Sequence, residues 1–250
     1  MTQPYDAMLQ ERTEIIHSWE KSEEYRQGCA YLKEEYARLY NIGQAYCFAD
    51  MEDSFRKRIV RTEAASYGGL HRGFYCPNLL EYIVVGNAKR GKIKKRITSK
   101  TKDYFLYGFD QDDRLILSDM YYTGNRAEME FLFYEKDYVY GITLSPDKEI
   151  VRITEEQYDQ NRLTHYAAAY FFQKNCWQIY RDDYVYDSNG LYCCTHQIYL
   201  SAKDLYQKNI RTFERENGYL TRYTSVCAPF DKHPEAGEES VYNVRIRWKA

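Results

Sequence analysis

From Tyr104 onward, turn-forming residues recur at nearly equal intervals, and no other feature of the chain limits its fold as tightly. Candidate turn centres fall at Gln111, Asn125, Lys136, Pro146, Gln160, Lys174, Ser188, Ala202 and Glu216. The successive steps are 14, 11 and 10 residues, followed by five of 14. Short turns at that spacing leave strands of about ten residues. Strands joined by such short links pair as antiparallel neighbours, so nine turns imply about ten strands in an up-and-down meander. One polar trio, Arg181-Asp182-Asp183, falls in the middle of an expected strand and is a candidate extra turn.

Alternate turns also repeat a sequence. Phe109-Asp110 with Arg114-Leu115, Tyr158 to Leu163, Tyr186 to Leu191 and Phe213-Glu214 with Asn217 to Leu220 share the order aromatic, acid, spacer, Asn or Asp, Gly or Arg, Leu; Tyr134 to Asp137 is a partial copy. The acid can accept backbone N–H groups, Asn or Gly can take positive φ, and the aromatic and Leu can pack across the hairpin. The segment Tyr184-Val185-Tyr186-Asp187-Ser188-Asn189-Gly190-Leu191 resembles the Y-x-Y-D-x-x-G-R-L core of the YD (Rhs) repeat, with Leu191 directly after the glycine and no arginine. In that family such hairpins build a spiral β-shell that encloses a bacterial toxin. In general style, a Tyr-rich antiparallel sheet with such hairpins is also similar to bacterial cytoplasmic immunity proteins encoded beside polymorphic toxins. That likeness implies a stoichiometric toxin-binding role.

The period differs before the meander. Met8, Leu9, Arg12, Ile15, Ile16 and Trp19 follow helical spacing, with Gly28 as an expected stop; Cys29, Leu32, Tyr36, Leu39 and Tyr40 form a second stripe ending at Asn41 and Gly43. Arg56 to Thr62 and Leu79 to Val85 read as strands, Ser66 to Pro77 as loop, Pro229 to Ser240 as polar loop, and Tyr242 to Trp248 as a final alternating strand. The expected class is therefore α+β: a helical segment over residues 1–45 packed on an antiparallel sheet domain over 46–250, the two forming one compact unit. A sheet of that width tends to twist and curl toward partial closure.

Composition narrows the setting. There are 28 Tyr among 250 residues, against 11 Phe and 3 Trp. A ring that packs and a hydroxyl that seeks a partner suit a one-sided, half-wet sheet. The seven cysteines form an odd set without a C-x-x-C pair, which argues for free thiols in a reducing cytoplasm and against a zinc ribbon. No basic-then-apolar leader and no run of 18 apolar residues occurs, so export and a helical membrane span are not expected.

The net charge of −2 conceals a block. Residues 1–55 carry 5 Lys+Arg and 11 Asp+Glu, residues 56–102 carry 13 and 2, and residues 103–250 carry 17 and 24. The positive block centres on Lys89, Arg90, Lys92, Lys94, Lys95 and Arg96, followed by Lys100 and Lys102. It reads either as a patch for an acidic protein or for phosphates, or as a solvated edge whose charges prevent aggregation or pair with the acidic N-terminal helices. Nucleic-acid binding is disfavoured because the domain as a whole is not basic.

Candidate chemistry is sparse. Gly86 to Lys92 fits G-x-x-x-x-G-K, but Ile93 stands where a phosphate-binding loop needs Ser or Thr, so a hairpin loop is the simpler reading. Cys194 and His196 would share a strand face, with Cys193 opposite; two such groups make neither a metal site nor a catalytic set. His71 with Arg72 sits in a glycine-rich loop, and Asp112-Asp113 and Asp182-Asp183 read as turn or solvent-face charges. No catalytic residue, metal ligand or cofactor is expected. The leading expectation is a non-enzymatic, cytoplasmic protein-binding protein, a toxin being the particular partner, using tyrosines such as Tyr138, Tyr140, Tyr184 and Tyr186 together with either the basic block or the acidic sheet turns. The alternative is a barrel for a small apolar ligand, similar in outline to intracellular lipid-binding proteins.

Overall fold

The computed structural model describes residues 5–84, 90–98, 100–172, 175–230 and 240–247, without the side chains of 5–8, 245 and 247. Three helices open the chain: α1 (Tyr5–Glu20), α2 (Glu23–Tyr46) and α3 (Met51–Arg58). Next come β1 (Arg61–Ser66), a 3₁₀ turn (Gly73–Tyr75), α4 (Leu79–Val84) and β2 (Ile93–Lys94). The meander follows as β3 (Tyr104–Phe109), β4 (Leu115–Tyr122), β5 (Asn125–Tyr134), β6 (Tyr138–Leu144), β7 (Ile150–Asp159) and β8 (Arg162–Phe172). It continues through β9 (Asn175–Asp187), β10 (Gly190–Leu200), β11 (Leu205–Glu216), β12 (Tyr219–Cys227) and β13 (Ser240–Arg247). The architecture is thus a helical N-terminal part and a thirteen-strand antiparallel meander that is not closed into a barrel.

Ten strands, β3 to β12, fall where the turn cadence places them. Residue Lys174, one of the nine expected centres, lies outside the described residues. The repeated turns work through the chemistry expected of them. Asp110 Oδ1 accepts the N–H groups of Asp112 and Arg114, and Asp187 Oδ1 accepts that of Asn189. Phe109↔Leu115, Tyr158↔Leu163 and Tyr186↔Leu191 are direct cross-strand partners. Gln160-Asn161 and Asn217-Gly218 take positive φ at both central positions, the form whose twist matches a hairpin.

Several expectations change. Arg181-Asp182-Asp183 makes no turn and lies within continuous β9. Leu79 to Val84 is helical rather than extended, because Asn78 Oδ1 caps the Glu81 N–H at 2.8 Å. A run this short does not separate strand from helix by period. Residues Arg56 to Arg58 end α3; the backbone turns extended at Ile59, Val60 N–H donates to Phe109 O, and β1 follows. Neither Gly28 nor Gly43 stops a helix. A Cβ on Gly28 would fall 2.4 Å from the Tyr206 ring, and one on Gly43 would fall 2.3 Å from Ile153 Cδ1. Both glycines let α2 approach a strand, a role that looks like a helix end in the sequence.

The chain divides into two compact units, Met1–Ala37 with Trp177–Ala250, and Arg38–Cys176. In the first, strands run in the order β13-β12-β11-β10-β9, and Trp19, Tyr25 and Tyr206 form an aromatic cluster where helix meets sheet. In the second, the order is β8-β7-β6-β5-β4-β3-β1-β2. Here the sheet is covered on both sides rather than on one. Phe55 packs edge-on against Phe131 and Phe133 on one face; Phe74 and Tyr75 pack on the cluster of Phe105, Tyr107, Phe109 and Leu132 on the other. Burial therefore runs through successive residues, as at Leu115 to Asp119, instead of alternating.

Candidate functional site

The basic block sits on an edge. Strand β2 is the last in its unit's order and pairs only with β1 among the described residues, through Ala64↔Lys94 and Ala65↔Ile93. Ser66 N–H donates to Lys92 O at 2.9 Å, and Gly91, at φ +80°, lies so close to Ser66 O that no side chain fits. The block is thus fixed to the sheet by backbone. Lys92, Lys94, Lys95, Arg96, Lys100 and Lys102 are exposed, and among the described residues none forms an ion pair. Three acids of the helices pair elsewhere: Glu23 with Arg26, Glu24 with Lys208, and Glu52 with Arg56 and Arg126. Arg90 differs from its neighbours, half-buried with its guanidinium 4.3 Å over the Tyr82 ring. Lys89 lies outside the described residues, as does most of the Gly86 to Lys92 motif. The flanks of that motif are a helix before and a strand after, the reverse of a phosphate-binding loop.

The named tyrosines contribute unevenly. Tyr140 is half-buried between Tyr138, 6.0 Å away in parallel, and Tyr46 of α2. Tyr184 is buried, with its hydroxyl 3.5 Å from Asp182, while Tyr186 is half-buried at the β9 hairpin end. Most of the buried tyrosines satisfy their hydroxyls internally: Tyr107 donates to Arg72 O, Tyr199 to Asp204 and Tyr206 to Gln197. The half-buried Tyr158 donates to Glu156 and the exposed Tyr134 to Leu115 O.

All seven cysteines are free thiols. Cys194 and His196 do share a face of β10, but burial and then the neighbouring Asp182 push the Cys194 thiol well up, so no thiolate forms. His196 Nδ1 lies 2.6 Å from its cross-strand partner Asp182, a pairing that uses both groups structurally. Asp183 binds Arg181, Asp112 binds Arg114 and Asp113 binds Arg61, as hairpin and strand-face charges; Asp182, fully buried against His196, is not the turn or solvent-face charge expected of it.

The densest polar chemistry lies around His71 and Arg72, which the sequence marks as a reactive candidate in a glycine-rich loop without partners for a mechanism. Arg72, at φ +56°, inserts a buried guanidinium onto the sheet. Its Nε and Nη2 fork onto Glu130 at 2.9 and 2.8 Å, and its Nη1 reaches Glu156 at 2.7 Å. The fork spans three adjacent cross-strand rows. Glu130 lies in the row Tyr107–Ser118–Glu130–Thr143–Arg152–Tyr170, Gly141 in the next, Leu132–Gly141–Thr154–Ala168, and Glu156 in Val139–Glu156–Tyr166. The guanidinium passes over Gly141, where a Cβ would stand 3.1 Å from Arg72 Nη2 and 2.5 Å from Glu130 Oε1.

Burial alone would raise the Glu130 carboxyl, but Arg72 and His71 outweigh it and hold Glu130 well below the carboxylate range. Burial likewise opposes the Arg72 charge, and Glu130 and Glu156 reverse that. Burial, with Arg152 nearby, depresses His71 to about 4. A neutral His71 beside an ionised Glu130 must carry its proton on Nε2, which donates across 3.0 Å; Nδ1 then accepts from Tyr166 O–H at 3.0 Å. These groups bond one another and form a buried floor.

Beside that floor opens a cleft of about 250 Å³, with Tyr67, Phe105 and Tyr170 among its walls and Arg152, Glu128 and Thr143 among its polar groups. Arg152 Nη2 donates to Glu128 at 2.8 Å, while Arg152 Nε and the buried Thr143 Oγ1 have no partner. No family model matches the chain, and no curated protein and no solved structure is found to be similar to it.

Proposed function

We propose that the chain is a non-enzymatic binding protein that captures an acidic, extended segment of another protein along β2 and residues 92–98 and 100–102. One observation carries this reading: six exposed cations, unpaired among the described residues, lie on or beside the edge strand β2, which the backbone holds to β1. An edge strand offers unpaired N–H and C=O groups, and lysines there normally repel a further strand. A partner rich in Asp and Glu converts that repulsion into attraction, and the backbone groups then add a strand. In its particular form the protein is a cytoplasmic immunity protein that covers a toxin one to one; seven free thiols suit a reducing compartment. Barrel-type binding of an apolar ligand is not carried forward, because the meander is not closed into a barrel.

The test uses purified products of the genes flanking its own. Mixed with wild-type protein, one of them forms a 1:1 complex that weakens steeply with salt and is lost in K92E/K94E/K95E/R96E, whose thermal stability is unchanged. Absence of any complex, or binding indifferent to the charge reversal, removes this reading. Tight binding of RNA or duplex DNA by the same residues replaces it with nucleic-acid recognition.

A further inference from the structure

The cleft beside the Arg72 floor carries a second and independent reading. We propose that it binds a small zwitterion of the free α-amino-acid type, with the carboxylate on Arg152 Nε and the Thr143 hydroxyl and the ammonium on Glu128. Thr143 and Arg152 are direct cross-strand partners, so their side chains rise from one row on the same sheet face. Both present polar atoms that nothing in the fold satisfies, Thr143 Oγ1 on a residue with no solvent exposure and Arg152 Nε beside it. Buried polar groups without partners are costly, and two adjacent ones lining the same cleft mark a place for an acceptor.

Charge selects among acceptors. Arg72 is already matched by Glu130 and Glu156, and Arg152 by Glu128, while Glu81 adds another carboxylate at the wall. A simple anion would meet this excess of carboxylates, and a simple cation would leave Arg152 Nε unused. A molecule bearing both charges meets both conditions. Glu128 accepts Arg152 through Oε2 and keeps lone pairs for an ammonium. At about 250 Å³ the cleft lies below the usual range for drug-sized ligands, about 300–1,000 Å³, which fits a metabolite of a few heavy atoms beyond its charged groups. Tyr67, stacked on Phe105 at 5.8 Å and half open to solvent, closes one side with an apolar surface for a short side chain.

The experiment titrates the full chain with each of the twenty L-amino acids by calorimetry and thermal shift. Propionate, ethylamine and glycerol serve as probes that lack one charge or both. The expected result is at least one amino acid binding with a Kd in the micromolar to low millimolar range and raising Tm, with none of the three probes doing so at the same concentration. Thr143→Val and Glu128→Gln, both near-isosteric, stay folded and each weaken that amino acid at least tenfold. Failure of all twenty to bind, equal binding of propionate, ethylamine or glycerol, or undiminished binding by both variants overturns the proposal. Because none of these probes involves β2, the outcome is separable from that of the acidic-partner test.

Discussion

Replacing Gly141 by alanine adds a single methyl group where the buried ion network is tightest. The new Cβ would lie 2.4 Å from Thr154 Oγ1, 2.5 Å from Glu130 Oε1 and 3.1 Å from Arg72 Nη2. Taken alone, a glycine in a strand interior costs roughly 0.5–1 kcal/mol relative to alanine, so an open site would gain stability from the change. Here neither close neighbour can yield cheaply. Thr154 is fully buried on the adjacent strand, and the Glu130 carboxylate is pinned by Arg72 and His71. Overpacking costs about 1–3 kcal/mol, and displacing one partner of a buried pair costs about 3–5 kcal/mol. Partial relaxation between these limits, less the propensity gain, leaves Gly141→Ala destabilised by about 2–4 kcal/mol. Urea unfolding monitored by fluorescence measures this, with the midpoint falling and the slope unchanged. Gly124→Ala is the control, since its Cβ would meet nothing and only its positive φ is strained; it should lose about 1 kcal/mol. A Gly141→Ala variant as stable as wild type would refute the claim that the Arg72 guanidinium lies over that position.

Three further outcomes follow from the same contacts. His71 has a folded pKa of about 4 against an unfolded value near 6.5, so the unfolded state binds more protons between them. Its stabilising contribution, on the order of 3 kcal/mol, is complete above about pH 6.5 and is lost as pH falls toward 4; denaturant midpoints from pH 4.5 to 7 should rise with pH in wild type and flatten in His71→Gln. Thr143→Val removes a buried hydroxyl that has no partner, so the variant should be as stable as wild type or up to about 1 kcal/mol more stable by chemical denaturation. Gly28→Ala places a Cβ 2.4 Å from the Tyr206 ring, itself held by Trp19 and Tyr25; despite better helix propensity it should lose about 1–2 kcal/mol, seen as a lower Tm.

What the sequence discloses here is local. The turn cadence specifies β3 to β12 because each hairpin carries its own chemistry, Asp110 and Asp187 gathering backbone N–H groups and Asn217-Gly218 supplying positive φ. Those interactions span a few residues and leave a pattern at fixed offsets. The Arg72 network leaves none, because Arg72, Glu130 and Glu156 lie 58 and 84 residues apart and meet only through the register of several strands. Glycine is ambiguous for the same reason. Gly28 and Gly43 look like helix ends, yet each is a point of close approach to a strand distant in sequence. The excess of tyrosine has a similar explanation, since hydroxyls such as those of Tyr107, Tyr158 and Tyr166 are consumed by partners inside the fold. The isolated signal at Thr143 and Arg152 is legible only once β6 and β7 are paired.

The most direct test of the proposed function is whether this chain forms a complex with any acidic protein encoded beside it, with stoichiometry and salt dependence measured by sedimentation for wild type and for K92E/K94E/K95E/R96E. A 1:1 complex that is present in wild type, weakens as salt rises and is absent in the charge-reversed chain is the predicted result. A complex of equal strength in both chains, or none in either, would contradict it.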